Sequence, residues 1–221
     1  MKIQIESNII KNILKDVYFI TGTAYAGKST MVKLLAEKHN GIACGENYHD
    51  QLMGMIDAEH QPNLCYFDTM SGWQEFVTRT PEEYDAWMMG VGREAADLEL
   101  IILLRLAEQG KKIFVDTNIP LEMLKEIAAP DHVALMLAPQ HMSVERFFDR
   151  PDAEKQFIYQ ELLKCPNPEA ALANYRKVLE KLNGQEHHDE FANSGFFVYK
   201  RREDSTPEEA MAAIETHFKL R

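Results

Sequence analysis

The segment Gly22-Thr-Ala-Tyr-Ala-Gly27-Lys28-Ser29 restricts this chain more than any other stretch. It fits the pattern G-x-x-x-x-G-K-[ST]. The flanks strengthen the match. Val17-Tyr-Phe-Ile20 is a short, unbroken apolar run that reads as a buried strand, and Met31, Leu34 and Leu35 recur at helical spacing after the loop. A Gly-rich turn between a strand and a helix can aim its backbone N–H groups at an anion, with the helix N-terminus behind it. Lys28 adds a point charge for the outer phosphates of a triphosphate, and the Ser29 hydroxyl a ligand for Mg²⁺. Thr30 supplies a second hydroxyl near the α-phosphate, or satisfies its own backbone. The nucleotide-binding candidates are therefore Gly22, Thr23, Ala24, Tyr25, Ala26, Gly27, Lys28, Ser29 and Thr30. An ordinary strand-to-helix turn gives no reason for Lys and Ser to close the loop.

The 221 residues, 45% hydrophobic, suffice for one sizeable core. No apolar run has the length of a membrane span. Residues 1–16 alternate charge with Ile and Leu and carry neither an apolar h-region nor a small-residue cleavage site, so no signal peptide is expected. Cys44, Cys65 and Cys165 are too few and too scattered for a disulfide framework or a zinc site, which suits a cytoplasmic protein with free thiols. A net charge of −11 repels nucleic acid and anionic lipid, so neither is an expected partner.

Five short apolar runs read as strands, at residues 17–21, 41–44, 112–116, 132–138 and 195–200. Several are unbroken rather than alternating, as central strands of a parallel sheet covered on both faces should be. Helical patterns lie between them. Thr80-Pro-Glu-Glu83 and Thr206-Pro-Glu-Glu209 are capping boxes with Pro in the first helical position. Asn167-Pro168 starts another helix, with Ala171, Tyr175, Val178 and Leu182 on one stripe. Residues 95–107 are apolar nearly all round and predict a buried crossover helix that stops by Gly110. The alternation predicts one α/β doubly wound domain. Two intervals, 45–111 and 139–194, exceed simple crossovers. Ligands of such sheets bind beyond the carboxyl ends of the strands, so the insertions read as substrate and lid lobes around the loop, or as helical decoration.

In this organisation the chain resembles the small-molecule kinase branch of the P-loop NTPases, which includes nucleoside and nucleotide kinases and several antibiotic and metabolite kinases. The resemblance implies a three-layer fold with a five-stranded parallel sheet, an acceptor-binding lobe at 45–92 and a lid region at 140–165. It also implies a loop after the last strand, here Arg202-Glu-Asp-Ser-Thr-Pro-Glu-Glu209, packed on adenine. The activity implied is transfer of the γ-phosphate of ATP, with Mg²⁺, to a nucleoside, a nucleotide or another small acceptor.

Phosphoryl transfer depends on positioning and charge stabilisation. Asp116 ends the run Lys112-Lys-Ile-Phe-Val-Asp116 and can hold a Mg²⁺-bound water, or start the turn before Pro120. After the second strand come Gly45-Glu46-Asn47-Tyr48-His49-Asp50. Glu46 and Asp50, four apart, would share one helix face. A Glu or Asp in this region is the base or hydroxyl partner in similar kinases, and Glu46 is preferred over Asp50. Alternatively both acids merely favour a helix N-terminus. His49 can fill the same role, though a His beside two acids is more often solvated. Arg146 and Arg150, four apart after the fourth strand, are similar to the lid arginines of the family, although the third Arg many members carry is missing; an Arg–Asp pair within the helix is the alternative. Arg93 matches an arginine that grips the acceptor. Tyr66, Phe67, Trp73, Phe76, Tyr84 and Trp87 make the first insertion aromatic, either to stack on a flat acceptor or as the core of the lobe. His187-His188-Asp189-Glu190 reads as a solvated loop rather than a metal tract. The Thr117 that follows Asp116 argues against an ATPase design with a Glu at that position.

Overall fold

The unbroken apolar runs become strands buried on both faces. The structure is a computed structural model that describes residues 5–145, 147–148 and 153–220. In chain order the elements are α1 (Ser7–Ile13), β1 (Val17–Gly22), α2 (Lys28–Lys38), β2 (Ile42–Cys44), α3 (Tyr66–Thr69), α4 (Trp73–Val77), α5 (Pro81–Ala107), β3 (Ile113–Asp116), α6 (Leu121–Ile127), β4 (Val133–Leu137), α7 (Gln140–Glu145), α8 (Ala153–Leu163), α9 (Pro168–Leu182), α10 (Gln185–Ala192), β5 (Phe197–Lys200) and α11 (Pro207–His217). A 3-10 helix, Tyr48–Met55, follows β2. The five strands lie within two residues of the bounds expected from sequence. All pair in parallel, in the order β2-β3-β1-β4-β5.

Period-two alternation sends neighbouring side chains of one strand into different layers. Val17, Phe19, Ile113, Val115, Val133 and Leu135 pack with α1, α5 and α6. Tyr18, Ile20, Phe114, Ala134 and Met136 pack with α2 and α11. Helices thus cover both faces of the sheet. A third apolar cluster, with Phe76, Val77, Leu162, Ala171 and Tyr175, joins α4, α8 and α9 beyond the sheet. No helix among the described residues is long and apolar enough to cross a membrane.

Both capping boxes form, at Thr80 and at Thr206, and the Asn167 side chain accepts from Ala170 N. Three departures stand out. Helix α1 has no clear signature in the alternating N-terminal sequence. Helix α5 runs unbroken through Gly90 and Gly92, where the sequence suggests a start near residue 95. The segment His187-His188-Asp189-Glu190 lies in α10, not in a loop, and His187 Nε2 bonds Asp85 Oδ1 at 2.9 Å.

The glycines of α5 anchor the first insertion. Glu94 accepts from the backbone N–H groups of Asn63 and Leu64 and from the Asn63 side chain. Trp87 Nε1 donates to Asn63 O. Asn63 is held so close that a Cβ on Gly90 would lie 2.4 Å from its Cγ. Ala ordinarily favours a helix interior over Gly by about 1 kcal/mol. Here overpacking outweighs that gain. Gly90→Ala is expected to lower the unfolding free energy by roughly 1–3 kcal/mol, read from a urea denaturation midpoint; a rise in the midpoint would refute the anchor.

Candidate functional site

The 22–29 loop leaves the sheet where β1 and β4 touch. Gly22, at φ +126°, lies opposite Met136, and a Cβ there would sit 2.1 Å from Met136 O. Thr23 N donates to Met136 O at 3.0 Å, and Ala138 N donates to Thr23 Oγ1 at 2.8 Å. Tyr25 and Gly27 take positive φ, 65° and 93°, which folds the chain back so that α2 begins at Lys28. Arg201, one residue beyond β5, donates to Tyr25 O. Lys28 Nζ turns onto the loop's own backbone and donates to Thr23 O at 3.2 Å.

Behind the loop, Ser29 Oγ donates to Asp116 Oδ2 at 2.7 Å. Parallel register explains the meeting: Ile20 pairs with Asp116, so the last residue of β3 lies beside the end of β1. Asp116 is 2% exposed. Burial raises its pKa, against the opposing effects of the Lys28 charge and the Ser29 hydrogen bond, while Glu46 and Glu99 push it further up. A carboxylate with a raised folded-state pKa is less favourable ionised in the fold than in the unfolded chain. The resulting destabilisation is present at neutral pH and is relieved as pH falls through the folded value. Asn would keep an acceptor for Ser29 and remove the charge. Metal-free Asp116→Asn is expected to melt above wild type at pH 7, with the gap closing toward acid. A thermal melt series across pH checks this, and a lower melting point for the variant at pH 7 contradicts it.

The acidic segment after β2 departs from the expected helix. Asn47 is left-handed at φ 62°, and the 3-10 helix starts only at Tyr48. Glu46 therefore sits exposed in the preceding turn and shares no helical face with Asp50. Its charge still acts on Asp116. The Asp50 side chain is 71% exposed.

His49 is not solvated but buried, at 3% exposure. Its Nδ1 lies 3.2 Å from Oε1 of Glu99, a fully buried carboxylate on α5. Thr117 Oγ1 donates to Glu99 Oε2 at 2.6 Å and accepts from Ile119 N. Tyr48 Oη is buried beside them without a partner of normal hydrogen-bond geometry among the described residues. Burial, reinforced by the Glu99 charge, pushes the Tyr48 hydroxyl well up and the Cys44 thiol up to about 11. The sequence offered a signal for this network, one Glu inside an apolar helix, but not its partners.

Three hollows adjoin these groups. The widest, about 720 Å³, has Asn47, His49 and Asp50 at one side and Phe67, Trp73 and Trp87 among its aromatic walls. The rings of the first insertion thus serve in part as lobe core: Phe76 is buried, whereas Phe67 stays 42% exposed. A second hollow, about 380 Å³, is lined by Thr23, Ala24, Asn118 and Arg93. Arg93 and Asp50 therefore line different hollows, which share Met88 and Phe147. A third, about 100 Å³, lies on the other side of the loop between Thr30, Met136, Tyr199, Ser205, Thr206 and Pro207. Arg146 and Arg150 lie outside the described residues.

No protein-family model, no curated protein and no solved structure matches the chain.

Proposed function

We propose that the protein is an ATP-dependent phosphotransferase that moves the γ-phosphate to a small acceptor, with a nucleoside or nucleotide as the acceptor class. On this reading the fold is that of the P-loop NTPases and residues 22–30 hold the triphosphate. The observation that carries it is the 2.7 Å contact between Ser29 and the buried Asp116, at the root of a Gly-rich loop closed by Lys28. A hydroxyl and a carboxylate side by side are hard oxygen donors of the kind Mg²⁺ takes while keeping several waters. Among the described residues no group of three His, Cys, Asp or Glu side chains gathers to hold a metal alone, so phosphate and water oxygens would complete the shell. When bound, the ion neutralises charge on the outer phosphates.

The chain's own groups supply the rest. Loop N–H groups and the N-terminus of α2 face the phosphates. Lys28, parked on Thr23 O, exchanges that carbonyl for phosphate oxygens. The hollow beside Thr30, Ser205 and Pro207 takes the adenine. The wide aromatic hollow takes a flat acceptor by stacking, with Asp50 in its lining and Glu46 in the exposed turn before it. Arg93 grips from the neighbouring hollow, and Arg146 and Arg150 offset charge on the transferred group. The same walls would suit a flat hydroxylated antibiotic or metabolite, the second reading. A net charge of −11 disfavours a polynucleotide acceptor.

The test is transfer of label from γ-labelled ATP to the common ribo- and deoxyribonucleosides and their monophosphates. Labelled product from wild type and none from Lys28→Ala supports the reading; no labelled product from wild type refutes it.

A further inference from the structure

His49 and Glu99 form a pair that the resemblance to small-molecule kinases does not call for, since that resemblance implies a carboxylate base. His49, its side chain 4% exposed, is part of the lining of the wide aromatic hollow, with Asp50 and Asn47. Its Nδ1 is engaged by the fully buried Glu99 at 3.2 Å. A carboxylate accepts, so the Nδ1 proton is fixed by this contact, and the lone pair of the neutral ring is left on Nε2. Nε2 lies 3.8 Å from Asp50 Oδ1, beyond hydrogen-bond distance. Glu99 is itself oriented by Thr117, the residue after Asp116. One hydrogen-bonded network therefore runs from Ile119 N through Thr117 and Glu99 to His49 at the acceptor hollow. Among the described residues, Asp50 and Glu99 flank the ring, Tyr48 and Cys44 lie near Glu99, and Glu154 and Lys155 line the same hollow. By contrast Glu46 stands exposed in a turn and lines none of the three hollows.

We propose that His49 is the general base on the acceptor side and that Glu99 is its positioning residue, an inference that rests on the phosphotransfer reading above. The acceptor's hydroxyl proton moves to Nε2. The hydroxyl oxygen forms the new bond to the γ-phosphorus, and the bond from that phosphorus to the β–γ bridging oxygen breaks, with its electron pair leaving on ADP. The imidazolium is held against the Glu99 carboxylate and later loses its proton to water in the hollow. Burial of Glu99 strengthens this pairing, because the charge it offsets is screened by little solvent.

The test has two readouts on the full chain. Long-range ¹H–¹⁵N spectra of the histidine-labelled protein are expected to show His49 with its proton on Nδ1, and that preference weakened in Glu99→Gln. A proton on Nε2 in wild type overturns the assignment. In single-turnover transfer from ATP to the most active common nucleoside, His49→Ala is expected to lose about 10²–10⁴-fold in rate. Added imidazole should restore part of the rate, with MgATP affinity unchanged. Glu99→Gln should lose about tenfold or more in rate, at an unchanged acceptor KM. A His49→Ala rate within threefold of wild type, or a loss that imidazole leaves untouched in a protein that still binds MgATP, overturns the base while phosphotransfer stands. A wild type that transfers nothing overturns the phosphotransfer reading itself, and the base with it.

Discussion

Lys28→Ala is expected to bind MgATP at least about a hundredfold more weakly than wild type, a loss of about 3 kcal/mol for one charge-assisted contact to phosphate. The effect should be large because Lys28 is the one charged side chain of the 22–29 loop, whose other contribution to an anion is backbone N–H groups and hydroxyls. Those dipoles orient an anion, but a full charge on a flexible stem follows the outer phosphates. The same substitution should leave the fold intact. Lys28 Nζ makes its hydrogen bond to Thr23 O, half-buried and on the loop itself, and takes no part in the sheet. Lys28→Arg should recover little, since a planar fork does not fit where a compact ammonium sits. Isothermal titration with MgATP, beside a circular dichroism spectrum of each variant, measures both. Wild-type affinity in the Ala variant would mean that the loop is not a triphosphate site.

Gly22→Val is expected to unfold the protein or bring it close to that, with a loss of about 4 kcal/mol or more out of the roughly 5–15 kcal/mol that holds a typical domain together. Two independent strains meet at this residue. Its φ of +126° is one that a β-branched residue essentially never takes. A Cβ would also lie 2.1 Å from the backbone oxygen of Met136. Neither can relax without shifting β1 against β4, the pair that also holds Thr23 and hence the loop. Gly45→Ala is the control, because a Cβ there meets nothing within 4 Å. Urea denaturation should separate the two variants by most of the wild-type stability. Equal midpoints would show that the close approach of β1 to β4 is not rigid.

These positions also show where sequence reading succeeds and where it stops. The strands were legible because a central parallel strand is buried on both faces, which leaves a run such as Ile113-Phe-Val115 with no polar residue to blur it. Thr80 and Thr206 were legible because a capping box is local: donor and acceptor lie three residues apart. Gly90 and Gly92 misled for the opposite reason. Their absent side chains are filled by Asn63 and approached by Asn118 O, contacts that no local window contains. The acidic turn failed at Asn47, whose left-handed backbone breaks the face that Glu46 and Asp50 would need. His49 and Glu99 are 50 residues apart, so neither the burial of the one nor the pairing of the other has a local signature. Ser29 and Asp116 are farther apart still, at 87 residues, yet their approach follows once β1 and β3 are neighbours.

The most direct test of the phosphotransfer account is a ³¹P NMR time course of wild-type protein with MgATP and a nucleoside mixture. The γ-phosphate resonance is expected to decline while a phosphomonoester resonance and those of ADP rise in equal amounts, with neither change in Lys28→Ala. Release of inorganic phosphate in step with ADP, with no phosphomonoester formed, would contradict it and make the protein an ATPase without an acceptor.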